Sequence, residues 1–218
     1  MTRVVELQAL VEAILALRRS VPPERSALVA LTGIDGCGKG FVAAKITEAI
    51  EALGSRVALI NLDGWLNLPH VRFNADRPAE HFYLHAIRFE AMFEQLVIPL
   101  RERRSLRVET DHVEETATEY RRHVYTFRDI DVILLEGIYL LKQDLQDHYD
   151  LSCWVDCSFE TALERAIARA QEGLSPEDTR RAYRTIYFPA QQLHFERDDP
   201  RQAATFTLNN DPRLGTGG

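Results

Sequence analysis

The stretch that decides the fold runs from residue 27 to residue 40 and reads ALVALTGIDGCGKG. Its first five residues are apolar, which predicts a short buried strand over 27–31. A glycine-rich segment follows at once, and apolar residues then recur at helical spacing: Val42, Ile46, Ile50 and Leu53. The stretch therefore predicts a strand, a tight glycine loop and a helix in direct succession.

The glycine loop has the spacing of a phosphate-binding loop, because Gly33, Gly38 and Lys39 match G-x-x-x-x-G-K. A loop with little side-chain bulk lets successive backbone N–H groups point at phosphate oxygens, and the following helix N-terminus adds partial positive charge. Lys39 is expected to reach the β- and γ-phosphates of a nucleotide. The predicted nucleotide contacts are Gly33, Asp35, Gly36, Cys37, Gly38, Lys39, Gly40 and Phe41.

One position of this loop departs from the pattern. The residue after the lysine is ordinarily Ser or Thr, whose hydroxyl binds Mg²⁺, but here it is Gly40. Phe41 is apolar, and Thr47 lies two helical turns further on. Water filling the metal position, weaker metal binding and loss of catalysis all stay open. Phosphate binding should survive, because it depends on backbone groups and Lys39.

Two acidic residues follow predicted strands. The strand over 56–62 ends at Asp63, and the strand over 131–135 ends at Glu136. Ligands bind at the carboxyl ends of the strands in a parallel sheet. Asp63 therefore either accepts the proton of a substrate hydroxyl or forms an Asp-Gly turn. Glu136 is placed to hold Mg²⁺ directly or through water, the alternative being a solvated loop acid.

Cationic and aromatic side chains supply further candidates. Arg165 and Arg169 share one face of a helix predicted over 159–171. They suit a lid that closes over a polyphosphate, or else a solvated helix face. Four aromatic residues lie in segments that either line an acceptor pocket or belong to the core: Trp65, Phe82, Tyr83 and Tyr120.

Short apolar strands alternate with helices along the chain, which predicts a parallel sheet covered on both faces. We expect one domain over 1–218. Its charged segment over 101–128 lacks helical periodicity and is predicted to contain short antiparallel strands. Its parts are an N-terminal helix (1–20), a phosphate-binding unit (27–63), a substrate-side insertion (101–128), a lid (165–187) and a flexible tail (212–218).

Composition limits the function classes. The chain has 218 residues, a net charge of −7 and three cysteines without a CxxC pair. Acidic charge argues against nucleic-acid binding, and no apolar run approaches the roughly 18 residues that a membrane span needs. There is no signal-peptide pattern at the N-terminus, and free thiols suit a reducing compartment. We expect a cytoplasmic protein with neither a nucleic-acid nor a membrane partner.

The order of these motifs resembles the uridine kinase and phosphoribulokinase branch of P-loop kinases, over about residues 27 to 210. Besides the glycine loop, Asn61-Leu62-Asp63-Gly64-Trp65 is similar to the family's strand that ends in a catalytic Asp. Leu134-Leu135-Glu136-Gly137-Ile138 is similar to its hydrophobic-Glu-Gly-Ile segment, and Tyr187-Phe188-Pro189-Ala190-Gln191-Gln192 to the segment after the lid.

The resemblance implies a P-loop NTPase fold, a three-layer α/β/α sandwich with a mainly parallel sheet and a helical lid. It implies an ATP-dependent kinase that uses Mg²⁺ and phosphorylates a small-molecule hydroxyl, with the 5′-hydroxyl of uridine or cytidine as the leading acceptor. A homo-oligomer is also compatible with it. The implied roles are Asp63 as base, Lys39 on the phosphates, Glu136 on the metal side, Arg165 and Arg169 as transition-state clamp, and Asp63, Trp65, Tyr120, Arg122 and Gln191 as acceptor contacts.

Departures from the family pattern keep two alternatives open. Gly40 replaces the metal-binding hydroxyl, and Gly64 stands where many relatives carry an acid. One alternative is a kinase of another acceptor, such as a sugar, a sugar phosphate or pantothenate. The other is a nucleotide-binding protein that has lost phosphoryl transfer.

Overall fold

A parallel sheet forms the centre of the protein. The computed structural model describes residues 2–170 and 173–214. Their strands are β1 (Arg3–Val4), β2 (Ala27–Thr32), β3 (Val57–Asn61), β4 (Leu106–His112), β5 (Arg121–Phe127), β6 (Val132–Gly137), β7 (Leu151–Asp156) and β8 (Phe206–Asn209). Six of them form one sheet in the order β1-β8-β7-β2-β6-β3, in which every pair is parallel. Strands β4 and β5 form a separate antiparallel hairpin.

Helices connect the strands and cover both faces of the sheet. They are α1 (Leu7–Ser20), α2 (Lys39–Ala52), α3 (Pro69–Arg72), α4 (Pro78–His85), α5 (Phe89–Met92), α6 (Ile98–Arg103), α7 (Gln143–Gln146), α8 (Phe159–Arg169), α9 (Pro176–Ala182), α10 (Phe188–Asp198) and α11 (Pro200–Ala203). A π-helical stretch, Phe93–Val97, joins α5 to α6, and a second, Tyr183–Tyr187, joins α9 to α10. The turn Leu62–Trp65 is a 3₁₀ helix.

Two hydrophobic cores lie on opposite faces of the sheet. In β2, Val29 and Leu31 belong to the core beneath α1 and α2, whereas Leu28 and Ala30 belong to the core beneath α4–α6. Successive side chains of a strand point to opposite faces, so a fully apolar strand serves both cores. This arrangement confirms the predicted α/β/α layering and mainly parallel sheet.

The charged segment contains the predicted antiparallel strands, as the β4–β5 hairpin. The pair Ser175-Pro176 is typical of a helix start, and Ser175 does cap α9 by accepting a hydrogen bond from the Asp178 N–H.

Two element boundaries differ from what the sequence predicts. Inward-facing apolar residues predict a helix over 85–96, but the helix begins at Phe89, because Ile87 forms a bridge with Leu66 and breaks the helical run. The apolar pattern over 204–208 predicts the last strand, which occupies Phe206–Asn209.

Some predicted segments extend beyond the described residues. Residues 215–218 of the predicted tail and residues 171 and 172 of the predicted lid lie outside them. Among the described helices, none combines the length and apolarity that a bilayer crossing requires.

Candidate active site

The phosphate loop connects β2 to α2 and depends on close backbone approaches. Gly36 and Gly38 have φ angles of +78° and +90°, which L side chains rarely adopt. A Cβ atom on Gly36 would lie 2.5 Å from the backbone oxygen of Ala162. A Cβ atom on Gly33 would lie 2.5 Å from the backbone oxygen of Val155. Glycine is therefore required here by space as well as by backbone angle.

Side chains from two distant segments hold the loop from outside. Arg165 of α8 donates from Nη1 to the Cys37 carbonyl oxygen over 2.9 Å, and Asn210 donates from Nδ2 to the same oxygen over 2.8 Å. Arg165 also donates from Nη2 to the Asn210 carbonyl oxygen over 2.9 Å. The structure thus places Arg165 behind the loop, where it links the loop to the C-terminal segment.

Lys39 lies at the first position of α2 and is only 7% exposed. Its Nζ donates to the Ile34 carbonyl oxygen over 3.0 Å. Burial opposes the charge of Lys39, but the neighbouring Cys37, Glu136 and Asp35 outweigh burial and hold the pKa of Lys39 above its usual value. The loop therefore contains a buried ammonium group that stays charged.

Asp63 and Glu136 lie at the ends of adjacent strands, since β3 pairs with β6. Asp63 comes two residues after β3, and Glu136 is the second-last residue of β6, which extends one residue past the predicted end. The backbone N–H of Asp63 donates to Asn61 Oδ1 over 2.7 Å, which fixes the turn at the end of β3. Burial raises the pKa of both carboxyl groups, and Lys39 acts in the opposite direction. Asp35 raises the pKa of both further, and Asp63 also raises that of Glu136. Two carboxylates and one lysine thus share a confined volume.

A cleft of about 390 Å³ brings these groups together. Its nucleotide side contains Asp35, Lys39, Gly40, Phe41 and other loop residues, with Asp63 and Glu136 at the sheet edge. Its opposite wall is formed by Leu66, Arg72, Phe73, Phe82, Glu115, Ile138 and Tyr187.

Arg169 lies inside the cleft, unlike Arg165. Its Nη2 is 3.9 Å from Asp35 Oδ1, and the Tyr183 hydroxyl donates to Asp35 Oδ2 over 2.6 Å. Asp35 therefore connects the phosphate loop to α8 and to the π-helical stretch before α10. The two predicted lid arginines occupy different environments: one supports the loop and one faces the ligand space.

The structure does not bring four of the predicted acceptor contacts to the cleft. Trp65 is fully buried and stacks on Tyr125, and Gln191 is 1% exposed. The Tyr120 hydroxyl donates to Asn67 over 3.4 Å. Exposed Arg122 donates to Glu109 and Asp111 across the hairpin over 2.7 and 2.8 Å. None of the four is among the described residues that line the cleft.

The sequence analysis identified only part of the wall opposite the loop. Phe82 was a candidate pocket residue and does line the cleft, and Tyr187 stood in a segment singled out for another residue. Arg72, Phe73 and Glu115 come from the end of α3 and from the β4–β5 connection, and they follow no motif.

A second, more open pocket of about 570 Å³ adjoins the cleft and shares Asp63 and Glu115 with it. His112 lies against Gly64 there, since a Cβ atom on Gly64 would be 2.4 Å from His112 Nε2. The space that a side chain at position 64 would need is thus occupied by an imidazole from the hairpin.

The cleft has donors that fit Mg²⁺ held mainly by phosphates. Within residues 2–170 and 173–214, no cluster of three or more His, Cys, Asp or Glu side chains forms a metal site by itself. Mg²⁺ in nucleotide sites takes one or two carboxylates and fills its other positions with phosphate oxygens and water. Glu136 would supply such a carboxylate, with Asp35 close enough to act on it. An added Cβ at Gly40 has no atom within 4 Å, so water has room there.

A strand, a phosphate loop and a helix, with acids at the neighbouring strand ends, are the defining features of the P-loop class of nucleotide-binding proteins. The chain belongs to the phosphoribulokinase/uridine kinase family, whose model matches residues 28–184. The predicted fold and family are thereby confirmed. No curated protein matches the chain.

Solved structures support the fold. A possible uridine kinase from Bacillus stearothermophilus superposes with a TM-score of 0.70 at 16% identity, covering 93% of this chain and 96% of that one. D-glycerate 3-kinase from Cryptococcus neoformans superposes with a TM-score of 0.70 at 14% identity, covering 97% of each chain. A candidate fructose transport system kinase from Silicibacter sp. TM1040 superposes with a TM-score of 0.67 at 20% identity, covering 93% of this chain and 98% of that one. These neighbours are similar in fold and differ in the acceptors that their names state.

Proposed function

We propose that this protein transfers the γ-phosphoryl group of ATP to a hydroxyl group of a small molecule. The observation that carries this proposal is the single cleft containing both the phosphate loop with Lys39 and the carboxylate of Asp63. A nucleotide-binding site alone needs the loop but has no use for a proton acceptor beside it. Phosphoryl transfer needs both, with donor and acceptor held in line.

The residues divide the reaction between them. The acceptor hydroxyl oxygen attacks the γ-phosphorus, the bond to the β,γ-bridging oxygen breaks, and its electrons leave with ADP. The hydroxyl proton passes to Asp63, whose raised pKa suits a base that must take up a proton. Lys39 and Arg169 balance negative charge on the transferred group.

Glu136 is the residue that would hold Mg²⁺, with Asp35 beside it. When bound, Mg²⁺ neutralises charge on the β- and γ-phosphate oxygens. The pKa of Glu136 is raised by burial and by the neighbouring Asp63 and Asp35, and a cation would relieve both effects. Gly40 has no side-chain ligand to offer, and the open space beside it would admit a water molecule in place of the usual hydroxyl.

Uridine or cytidine remains the acceptor suggested by the family resemblance, and other small hydroxyl compounds are equally compatible with the fold. A nucleotide-binding protein without transfer activity is the second candidate, because Gly40 removes one metal ligand. The number of charged residues retained in the cleft favours the enzyme: Asp35, Lys39, Asp63, Glu136 and Arg169.

The test is ADP release from Mg-ATP across uridine, cytidine, sugars, sugar phosphates, glycerate and pantothenate. We expect one acceptor class to stimulate release, and Asp63→Asn to reduce that stimulation by about 10²- to 10⁴-fold. ATP binding without stimulation by any acceptor would support the binding protein instead.

Gly40→Ser provides the matched variant, because the site has space for the added side chain. Higher turnover at limiting Mg²⁺ would show that the missing hydroxyl weakens metal binding. Unchanged Mg²⁺ dependence would show that water substitutes for it fully.

A further inference from the structure

Arg72 is a buried cation on the acceptor side of the cleft. It ends α3, is 5% exposed and lines the cleft that contains Asp63. Its Nη2 group donates to the carbonyl oxygen of Glu115, and its guanidinium lies 5.1 Å from the ring centre of Phe73. A backbone contact and an aromatic ring thus fix the direction of this side chain.

One hydrogen-bond donor of Arg72 is left over. Its Nε–H is buried and has no acceptor within the described part of the chain. Buried polar groups in folded proteins nearly always have a partner, and one left without a partner raises the free energy. The guanidinium of Arg72 therefore has hydrogen-bonding capacity that the described residues do not use.

The charge of Arg72 is also buried. Burial lowers the pKa of Arg72 by more than the neighbouring Tyr187, Glu115 and Asp63 raise it. Arg72 in turn acts to lower the pKa of Asp63, which shows that the two groups share one electrostatic environment. A group bound by Arg72 would therefore hold its molecule close to the predicted base.

We infer that the acceptor carries a carboxylate or phosphate group, which Arg72 binds while Asp63 faces the acceptor's reacting hydroxyl. An arginine guanidinium is planar and matches the two oxygens of a carboxylate or phosphate with two N–H groups. A neutral hydroxyl satisfies one donor but leaves the charge unbalanced. This inference rests on the proposed kinase function and names the substrate class of the same site.

The rest of this wall suits a small organic anion. Leu66, Phe73, Phe82 and Ile138 provide apolar surface, and the whole cleft of about 390 Å³ has to contain the phosphates as well as the acceptor. The residues predicted to contact a pyrimidine, by contrast, lie elsewhere: Trp65, Tyr120, Arg122 and Gln191. The acceptor side therefore favours recognition of charge over recognition of a planar base.

The first test uses acceptors matched in all but charge, with the wild-type protein and Mg-ATP. The pairs are D-glycerate with glycerol, pantothenate with panthenol, and ribulose 5-phosphate with ribulose; uridine is the neutral nucleoside. We expect one anionic member to exceed its neutral partner in kcat/KM by about 30-fold or more. The carboxylate and phosphate pairs distinguish the two sources of the anion.

The second test substitutes Arg72, the cationic side chain. Arg72→Gln should raise the KM of the anionic acceptor by about 30-fold and remove the preference over the neutral partner, with the KM of ATP nearly unchanged. Arg72→Lys, which keeps the charge but loses the planar fork, should have a smaller effect. Arg77→Gln is the control, because Arg77 is exposed and pairs with Glu80 at the surface.

The outcomes separate this inference from the proposed function. Equal use of charged and neutral partners, or uridine as the best acceptor, would overturn the anion assignment and leave the kinase intact. If no acceptor stimulates ADP release, binding is measured instead. Each acceptor is added to the protein together with a non-hydrolysable ATP analogue, and the shift in melting temperature is recorded. Stabilisation by anionic members only, lost in Arg72→Gln, supports the inference; equal or absent stabilisation overturns it.

Discussion

The phosphate-loop side of the cleft depends on close backbone approaches, whereas the opposite wall is made of side chains from distant segments. On the loop side, the lining residues from Asp35 to Phe41 all belong to one strand–loop–helix unit over 27–52. On the opposite wall, Arg72, Glu115 and Tyr187 come from three separate parts of the chain. Recognition by backbone groups requires particular glycines at a particular spacing. Recognition by side chains can change through single substitutions. The first is therefore suited to a constant donor and the second to acceptors that differ within a family.

The largest effect is expected from a substitution that fills the space inside the phosphate loop. Gly36→Ala would place a Cβ atom 2.5 Å from the Ala162 backbone oxygen at a φ of +78°. Strain and clash together should cost about 1–3 kcal/mol or more, and the loop should lose its phosphate-binding shape. We expect ATP affinity to fall at least 30-fold by calorimetry.

The matched control is Gly54→Ala, a glycine with a similar φ of +85° but no atom within 4 Å of an added Cβ. It should reduce stability slightly and leave ATP affinity unchanged. Equal loss of affinity in both variants would mean that the close approach at Gly36 is unimportant.

The two lid arginines offer the next comparison. Arg169→Gln should lower kcat by about 10²- to 10³-fold, because Arg169 faces the cleft and balances transition-state charge. Arg165→Gln should act through the loop, raising the KM of ATP by about 10-fold and lowering the melting temperature. Steady-state kinetics with both substrates varied separates these effects.

Asn210→Ala is the control for the loop-support role of Arg165, since both side chains donate to the Cys37 carbonyl oxygen. It should resemble Arg165→Gln in direction and be weaker. If Arg165→Gln lowers kcat without changing the KM of ATP, the residue acts as a clamp and the assignment from this structure fails.

The pH dependence of kcat/KM tests the role of Asp63 as the base. Its pKa is raised above the ordinary aspartate value because of burial, so it binds a proton at a higher pH than a solvated aspartate does. A protonated base cannot accept the hydroxyl proton, and kcat/KM for the acceptor should fall as the pH falls through this raised pKa. The acidic limb should disappear in the residual activity of Asp63→Asn.

The smallest effect is expected at Gly40, in the first turn of α2. Gly40→Ala meets no atom within 4 Å and should stabilise the protein by about 0.5–1 kcal/mol, because alanine favours the helix and restricts the unfolded chain. Denaturant unfolding measures this gain, and ATP affinity should not change. A loss of stability would indicate that α2 begins differently.

The sequence was informative where the structure depends on local pattern. The loop 33–39, the strand ends at Asp63 and Glu136, and the cap at Ser175 all follow from short motifs with a local physical cause. The β4–β5 hairpin was also anticipated, from loss of helical periodicity.

The acceptor side was less predictable because tertiary packing decides which side chains reach it. Tyr120 was chosen as an aromatic residue in a candidate segment and Gln191 by motif, yet Tyr120 packs beneath Arg88 and Gln191 is buried in α10. Arg72 belongs to no motif, and only the fold brings it beside Asp63. Likewise, Arg165 and Arg169 share a helix, and only tertiary contacts show that one supports the loop.

The most direct measurement of the central claim follows the label from [γ-³²P]ATP in a single turnover with the acceptor found above. In-line transfer within one cleft predicts that the label moves to the acceptor, with little inorganic phosphate, and that Asp63→Asn retains ATP binding but moves almost none. Label that stays in ATP, or appears only as inorganic phosphate, would contradict the account that this cleft joins nucleotide and acceptor for phosphoryl transfer.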